Sequence, residues 1–282
     1  MVCCESMSPP VAVCQQVVGG RDGLDDLRLA AAGFEAVSLH TSRLGTLPAE
    51  RWRRALSDAG LRAAGVMAIR GILDDPPDAD DMLHAAGVVG ATYVAVTTGP
   101  LGGRGRAEAD EACAAWFARM QPPASRAGLR LALEPLHPVH ADKSYVHTAR
   151  HALAVTSRVP GAGIVVDSGH VWWDVDLVAD LYGALDSVAT IQLADVDGRL
   201  VARGGYDRVP FGTGVVPNPL LVRELLHHGY RGPFEIETLD RGDGRVARLA
   251  TARRAIDTIL ADLPSPRSGP SAGTIPTPGG TG

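Results

Sequence analysis

The chain has only four cysteines, and none of them forms a CxxC pair. Cys3 and Cys4 are adjacent while Cys14 and Cys113 stand far apart, which excludes a zinc knuckle or a disulfide framework and fits a reducing cytoplasm. No stretch reaches the roughly 18 apolar residues that a membrane span needs, and the opening MVCCESMSPP lacks the basic and apolar regions of a signal peptide. The expectation is a cytoplasmic protein with no membrane association. Basic residues are scattered, the formal charge is −5 and the pI is near 6.0, so nothing marks a nucleic-acid surface. No early apolar run is followed by GxGxxG, which argues against a nucleotide cofactor.

What is present is a regular alternation. Short runs rich in Val, Ile and Ala alternate with amphipathic segments, the pattern of a parallel sheet covered by helices. Eight strands are expected, at 10–17, 34–40, 63–69, 92–98, 129–135, 163–168, 188–195 and 233–238. Between the last two, PNPLLVRELLHHGY sets Val222, Leu225, Leu226 and Gly229 at i, i+3, i+4 and i+7, with prolines at its start and a glycine suited to a C-cap. Eight strand and helix units without a composition break predict one α/β domain, a (β/α)8 TIM barrel, over residues 10–262; an open doubly wound sheet is the weaker alternative. Residues 1–9 read as an N-terminal extension. Residues 263–282, rich in Pro, Gly, Ser and Thr, read as a disordered tail. The glycine-rich LGGRGR at 101–106 reads as a connector more readily than as an anion cradle.

In such a barrel, chemistry sits where the C-terminal ends of the strands open onto one mouth. The fifth strand ends at Glu134 and the sixth at Asp167, while the seventh carries Gln192 and the eighth Glu237. Three carboxylates and an amide oxygen facing inward repel one another unless a cation lies between them. All-oxygen ligation favours a hard divalent ion, Mn²⁺ or Mg²⁺, with Co²⁺ or Zn²⁺ as other options. Glu235 shares a strand face with Glu237 and competes for the inward position, but Glu237 is nearer the strand end.

The segments LALEPLHP, VVDSGHVWWD, IQLADVDGR followed by GTG, and GYRGPFEIE occur in the order and spacing of a known group. Through them residues 10–260 resemble the xylose isomerase-like superfamily of sugar phosphate isomerases and epimerases, with hydroxypyruvate isomerase and tagatose 3-epimerase among its members. The resemblance implies a metal held by Glu134, Asp167, Gln192 and Glu237, and a His170 that contacts a substrate oxygen. Most members have histidine where Gln192 stands; glutamine there, with Arg199 seven residues on, is similar to the hydroxypyruvate isomerase branch. His140 occupies the position of a substrate-binding glutamate in the tagatose 3-epimerase type, and His137 precedes it on the same loop. The loop LVARGGYDRVPF is longer than the usual run into the glycine motif, and GTGVVPNP lacks an acid often found there.

The resulting expectation is a metal-dependent isomerase or epimerase of a small keto-sugar, cyclitol or hydroxy-keto acid. Such an enzyme removes a proton beside a carbonyl while a metal stabilises the enediolate, and Glu134 and Glu237 act as base and acid. A lyase or dehydratase on the same site is the nearest rival. A repair endonuclease is disfavoured because it needs a histidine-rich trinuclear zinc site, and a non-enzymatic binding protein is the remaining alternative. The partner is a small molecule, and a homo-oligomer fits as well as a monomer.

Overall fold

The computed structural model describes residues 9–74, 79–238 and 244–261. Eight parallel strands close a barrel: β1 (Val11–Cys14), β2 (Ala36–His40), β3 (Arg62–Ile69), β4 (Tyr93–Val96), β5 (Arg130–Leu133), β6 (Gly163–Asp167), β7 (Val188–Leu193) and β8 (Phe234–Ile236). Each pairs with its neighbours in sequence, and β8 returns to β1 through Val11 opposite Phe234 and Val13 opposite Ile236. All eight expected strands are present, and the open-sheet alternative falls with the closure.

Almost every strand residue is buried, because a parallel strand in a closed barrel faces side-chain layers within and helices without. That is why these segments read as unbroken apolar runs. The main helices are α1 (Gly23–Ala30), α2 (Ala49–Asp58), α3 (Ala79–Val89), α4 (Arg106–Arg126), α5 (Ala149–Thr156), α6 (Leu177–Tyr182), α7 (Asn218–His227) and α8 (Arg245–Ala261), one after each strand. Local chemistry fixes several starts. Asp22 caps α1 by accepting from the amides of Leu24 and Asp25 at 3.0 and 2.9 Å, and Thr148 caps α5 through the His151 amide at 3.2 Å.

In the 101–106 connector, Arg104 is engaged by the Asp74 carboxylate at 3.1 Å and the Leu73 carbonyl at 2.8 Å. After β7 the chain makes a two-stranded antiparallel ribbon, Asp195–Val196 against Arg208–Val209. Its anchor is the buried Asp195 carboxylate, which accepts from the amides of Gly212, Gly214 and Val216 at 3.0, 2.9 and 3.0 Å. A Cβ on Gly214 would lie 2.3 Å from Asp195 Oδ1, so this anchor demands glycine there. The expected N-terminal extension, apart from Pro9, and the expected tail lie outside the described residues.

Candidate active site at the barrel mouth

Residues at or just beyond the ends of β5, β6 and β8 converge on a cavity of about 360 Å³ whose lining includes Glu134, His140, His170, Arg208 and Glu237. Glu134, Asp167, Gln192 and Glu237 are all buried. Single ligand atoms of Glu134, Asp167 and His170 lie within 4.8 Å of one another. Glu237 joins them through a residue that the sequence reading missed. Arg208, with its side chain 4 % exposed, donates from Nη2 to Asp167 Oδ2 at 2.5 Å and from Nη1 to the Glu237 carbonyl at 2.6 Å. The Glu237 carboxylate is 3.6 Å from Nη1, and His170 Nε2 is 3.1 Å from Nη2.

One buried cation therefore faces three buried acids, and the electrostatics follow from that imbalance. Burial, with the Asp167 charge beside it, pushes Glu134 up to about 8. Burial also lifts Glu237 well above the carboxylate range; Arg208 opposes this, and the charges of Asp167 and Glu134 add to it. Asp167 is raised by burial and held back by Arg208. Burial works against the Arg208 charge, yet Asp167 and Glu237 keep it well above its ordinary value. His170 is pushed well down by burial and then by Arg208, so its ring is neutral.

The donor set suits a divalent cation. Besides the Glu134, Asp167 and His170 group, two of the three buried side-chain oxygens without a hydrogen-bond partner among the described residues are Gln192 Oε1 and Glu237 Oε2, the third being Asp174 Oδ2. Buried acceptors without donors are rare, and a metal ion is one thing that satisfies them. The amide of Gln192 is fixed from below, its Nε2 lying 3.4 Å from Glu235 Oε2 and 3.3 Å from Met67 Sδ. Glu235 faces inward as anticipated for its strand face, but its other partners are Ser38 and Tyr93, within the barrel.

The remaining expected site residues divide. His140 lines the cavity, its ring edge-on to His170 at 5.4 Å between centroids. His137 accepts from the Val139 amide at 3.2 Å and packs on Trp173 and Tyr206, behind the cavity wall. Arg199 sits exposed on the short helical turn Gly198–Val201 and lines a separate surface hollow. The basic group that reaches the acids is Arg208, because the long ribbon loop puts eight residues between Arg199 and the strand that folds back over the mouth. The segment just before that strand brings Tyr206, whose hydroxyl donates to the Gly169 carbonyl at 3.0 Å and lies 3.3 Å from His170 Nδ1. Position was the available signal: Arg208 stands two residues before Pro210 and four before the first glycine of GTG.

Comparison with known proteins agrees with this architecture. The model of the xylose isomerase-like TIM barrel family matches residues 27–261, and the chain belongs to that family. A search of curated protein sequences gives no match. Among solved structures, protein SMc04130 of Sinorhizobium meliloti 1021 is 22% identical, with a TM-score of 0.77 over 89% of this chain and 98% of that one. The IolI protein, solved with a bound zinc atom, is 16% identical, with a TM-score of 0.76 over 91% and 99% of the two chains. An L-ribulose 3-epimerase is 17% identical, with a TM-score of 0.74 over 90% and 95%. At these identities the likeness establishes the fold. Among the described residues no helix is long and apolar enough to cross a membrane.

Proposed function

We propose that the chain is a metal-dependent isomerase or epimerase of a small hydroxy-carbonyl compound of the keto-sugar, cyclitol or hydroxy-keto acid type. The observation that carries this reading is the pair Glu134 and Glu237, two buried carboxylates from strand ends three apart, lining one cavity beside unpartnered oxygens. A divalent ion, Mn²⁺ or Mg²⁺ by the oxygen-rich donor set, would be held by Glu134, Asp167, Gln192 and Glu237, with His170 close by. When bound, it would supply Lewis-acid polarisation of a substrate carbonyl.

The chain's own groups then divide the proton work. One carboxylate oxygen, on Glu134 or Glu237, takes the proton from the carbon beside the carbonyl, and the other glutamate returns a proton to the neighbouring carbon or to the opposite face. A carboxyl group whose pKa is brought near neutrality is suited to both halves of that exchange. Arg208, fixed by Asp167 and the Glu237 carbonyl, presents a stationary positive charge where oxygen gains negative charge. Neutral His170, with Nδ1 toward Tyr206 and Nε2 toward Arg208, lines the cavity where a substrate hydroxyl would lie. IolI with its zinc and the 3-epimerase structures support the reading as relatives in fold.

The test is solvent deuterium exchange into the carbon beside the carbonyl, followed by NMR across a panel of ketoses and keto acids with Mn²⁺ supplied. His170→Asn should weaken substrate binding at least as much as turnover, since it removes a contact and not the base. Exchange that persists with Mn²⁺ bound in both Glu134→Gln and Glu237→Gln would overturn the assignment.

A further inference from the structure

The mouth cavity is lined by two sets of charged groups. On the floor, Arg208 is matched by Asp167 and Glu237. On the rim stand two further cations, Arg70 just after β3 and Lys143 in the segment after β5, both exposed and both lining the same cavity. Among the described residues neither has a carboxylate within ion-pair distance of 4.0 Å. Arg70 Nη2 lies 3.3 Å from His40 Nε2, and that ring is kept uncharged, with its pKa pushed down to about 4 by burial, Arg70 and Arg43. This neighbour leaves the guanidinium charge unneutralised. Asp207 also lines the cavity, but its Oδ1 turns back to accept from the Arg208 amide at 2.9 Å.

Lys143 is notable for a second reason. It is the only lysine among the 27 basic residues of the chain. A single ammonium, a compact charge on a flexible stem, thus lines with a guanidinium one cavity whose low-dielectric walls focus their fields. A neutral polyol offers these two cations no counter-charge, whereas an anionic group does.

We propose that the substrate of this site is an anion, a hydroxy-carbonyl compound whose carboxylate or phosphate is bound at the rim by Arg70 and Lys143 while its carbonyl end points to Glu134 and Glu237. The assignment of the floor rests on the isomerase reading, whereas the anion contact at the rim does not depend on it.

Three probes that share their first five carbons and differ at the sixth separate the possibilities: D-fructose, D-fructuronate and D-fructose 6-phosphate. Titration calorimetry into the Mn²⁺-loaded protein at low ionic strength should show at least one anion binding about tenfold or more tighter than D-fructose, the size expected for a charge-assisted contact. The stronger anion tells carboxylate from phosphate. The margin should shrink at high salt, and Arg70→Gln, Lys143→Gln and the charge reversal Lys143→Glu should each bring the ratio of affinities toward one. Both side chains are exposed, so these variants should fold, which circular dichroism checks. Reductive ¹³C-methylation keeps the charge of the sole lysine and gives it an NMR signal that should move when the anion binds. D-fructose binding as tightly as both anions, a margin untouched in the variants, or no anion binding at all would overturn the proposal. Deuterium exchange in the same samples reports separately on the isomerase reading: an anion that binds at the rim without exchange counts against the chemistry and leaves the rim contact standing.

Discussion

Two glutamates on β8 and its extension, Glu235 and Glu237, stand two residues apart on one strand face, and their surroundings are opposite. Glu235 is fully buried within the barrel, where Ser38 Oγ and Tyr93 Oη each donate to Oε1 at 2.7 Å. Glu237 is 7 % exposed at the mouth, and its Oε2 has no partner. Burial raises the pKa of both carboxyl groups, but around Glu235 the hydrogen bonds from Tyr93, Ser38 and Gln192 oppose it. A buried acid is therefore not in itself the mark of a functional site, since Glu235 is a satisfied structural node. One layer higher, at the candidate site, Glu237 keeps an oxygen with unused acceptor capacity.

The largest effect that would sharpen this contrast is on catalysis. Glu237→Gln should lower turnover by about 10² or more, as loss of a general acid or base does, with a smaller loss of unfolding free energy than at Glu235, because Oε2 has no partner and Oε1 is 3.6 Å from Arg208. Deuterium exchange and urea unfolding measure the two sides, and intact exchange with a large stability loss would erase the distinction. Glu235→Leu should act in the other direction. It leaves the Ser38 and Tyr93 hydroxyls without their acceptor, and unfolding free energy should fall by about 1–3 kcal/mol, read by urea denaturation.

A smaller effect should appear with pH. Glu134 titrates near 8 in the folded chain against a reference value of 4.5, so between those values the folded protein holds a proton that the unfolded chain has released. Stability from this group is present below about pH 4.5 and is lost as pH rises through about 8. The melting temperature of the metal-free protein should thus decline from pH 6.5 to 8.5, on the order of 1 kcal/mol or about 2–4 °C. Saturating Mn²⁺ should flatten the slope, because a nearby cation favours the ionised carboxylates, and it should raise the melting temperature as any ligand of the folded state does. A metal-free melting temperature that rises over this interval would break the account of the mouth. The smallest effect is expected from deleting residues after Ser265, a Pro/Gly/Ser-rich segment with little to pack; melting temperature and exchange should not change. A clear fall would mean that this segment supports one of the two layers.

Much of the fold was legible from local pattern. Parallel strands buried on both faces leave unbroken apolar runs such as GIVVDS and VATIQLAD, and eight of them with helices between leave few closures other than a barrel. The strand-end rule also pointed to Glu134, Asp167 and Glu237, because the position of an acid relative to the end of a strand is a property of the sequence. Gln192 was legible as an inward side chain, but the fixing of its amide by Glu235 and Met67 was not, since those residues lie 43 and 125 positions away.

The sequence alone therefore determined the architecture, the strand ends and which acids stand on them, because hydrophobic periodicity and chain direction act over a few residues at a time. Only the tertiary structure decided which basic groups meet those acids. The ribbon carries Arg208 across 41 residues to Asp167 and leaves Arg199, the nearer one in sequence, on the surface. In the same way Arg70 and Lys143, separated by most of the β3 to β5 segment, come to share one rim. Loop paths are set by anchors such as Asp195 on the Gly212 and Gly214 amides, and such contacts depend on where the whole barrel places their two ends.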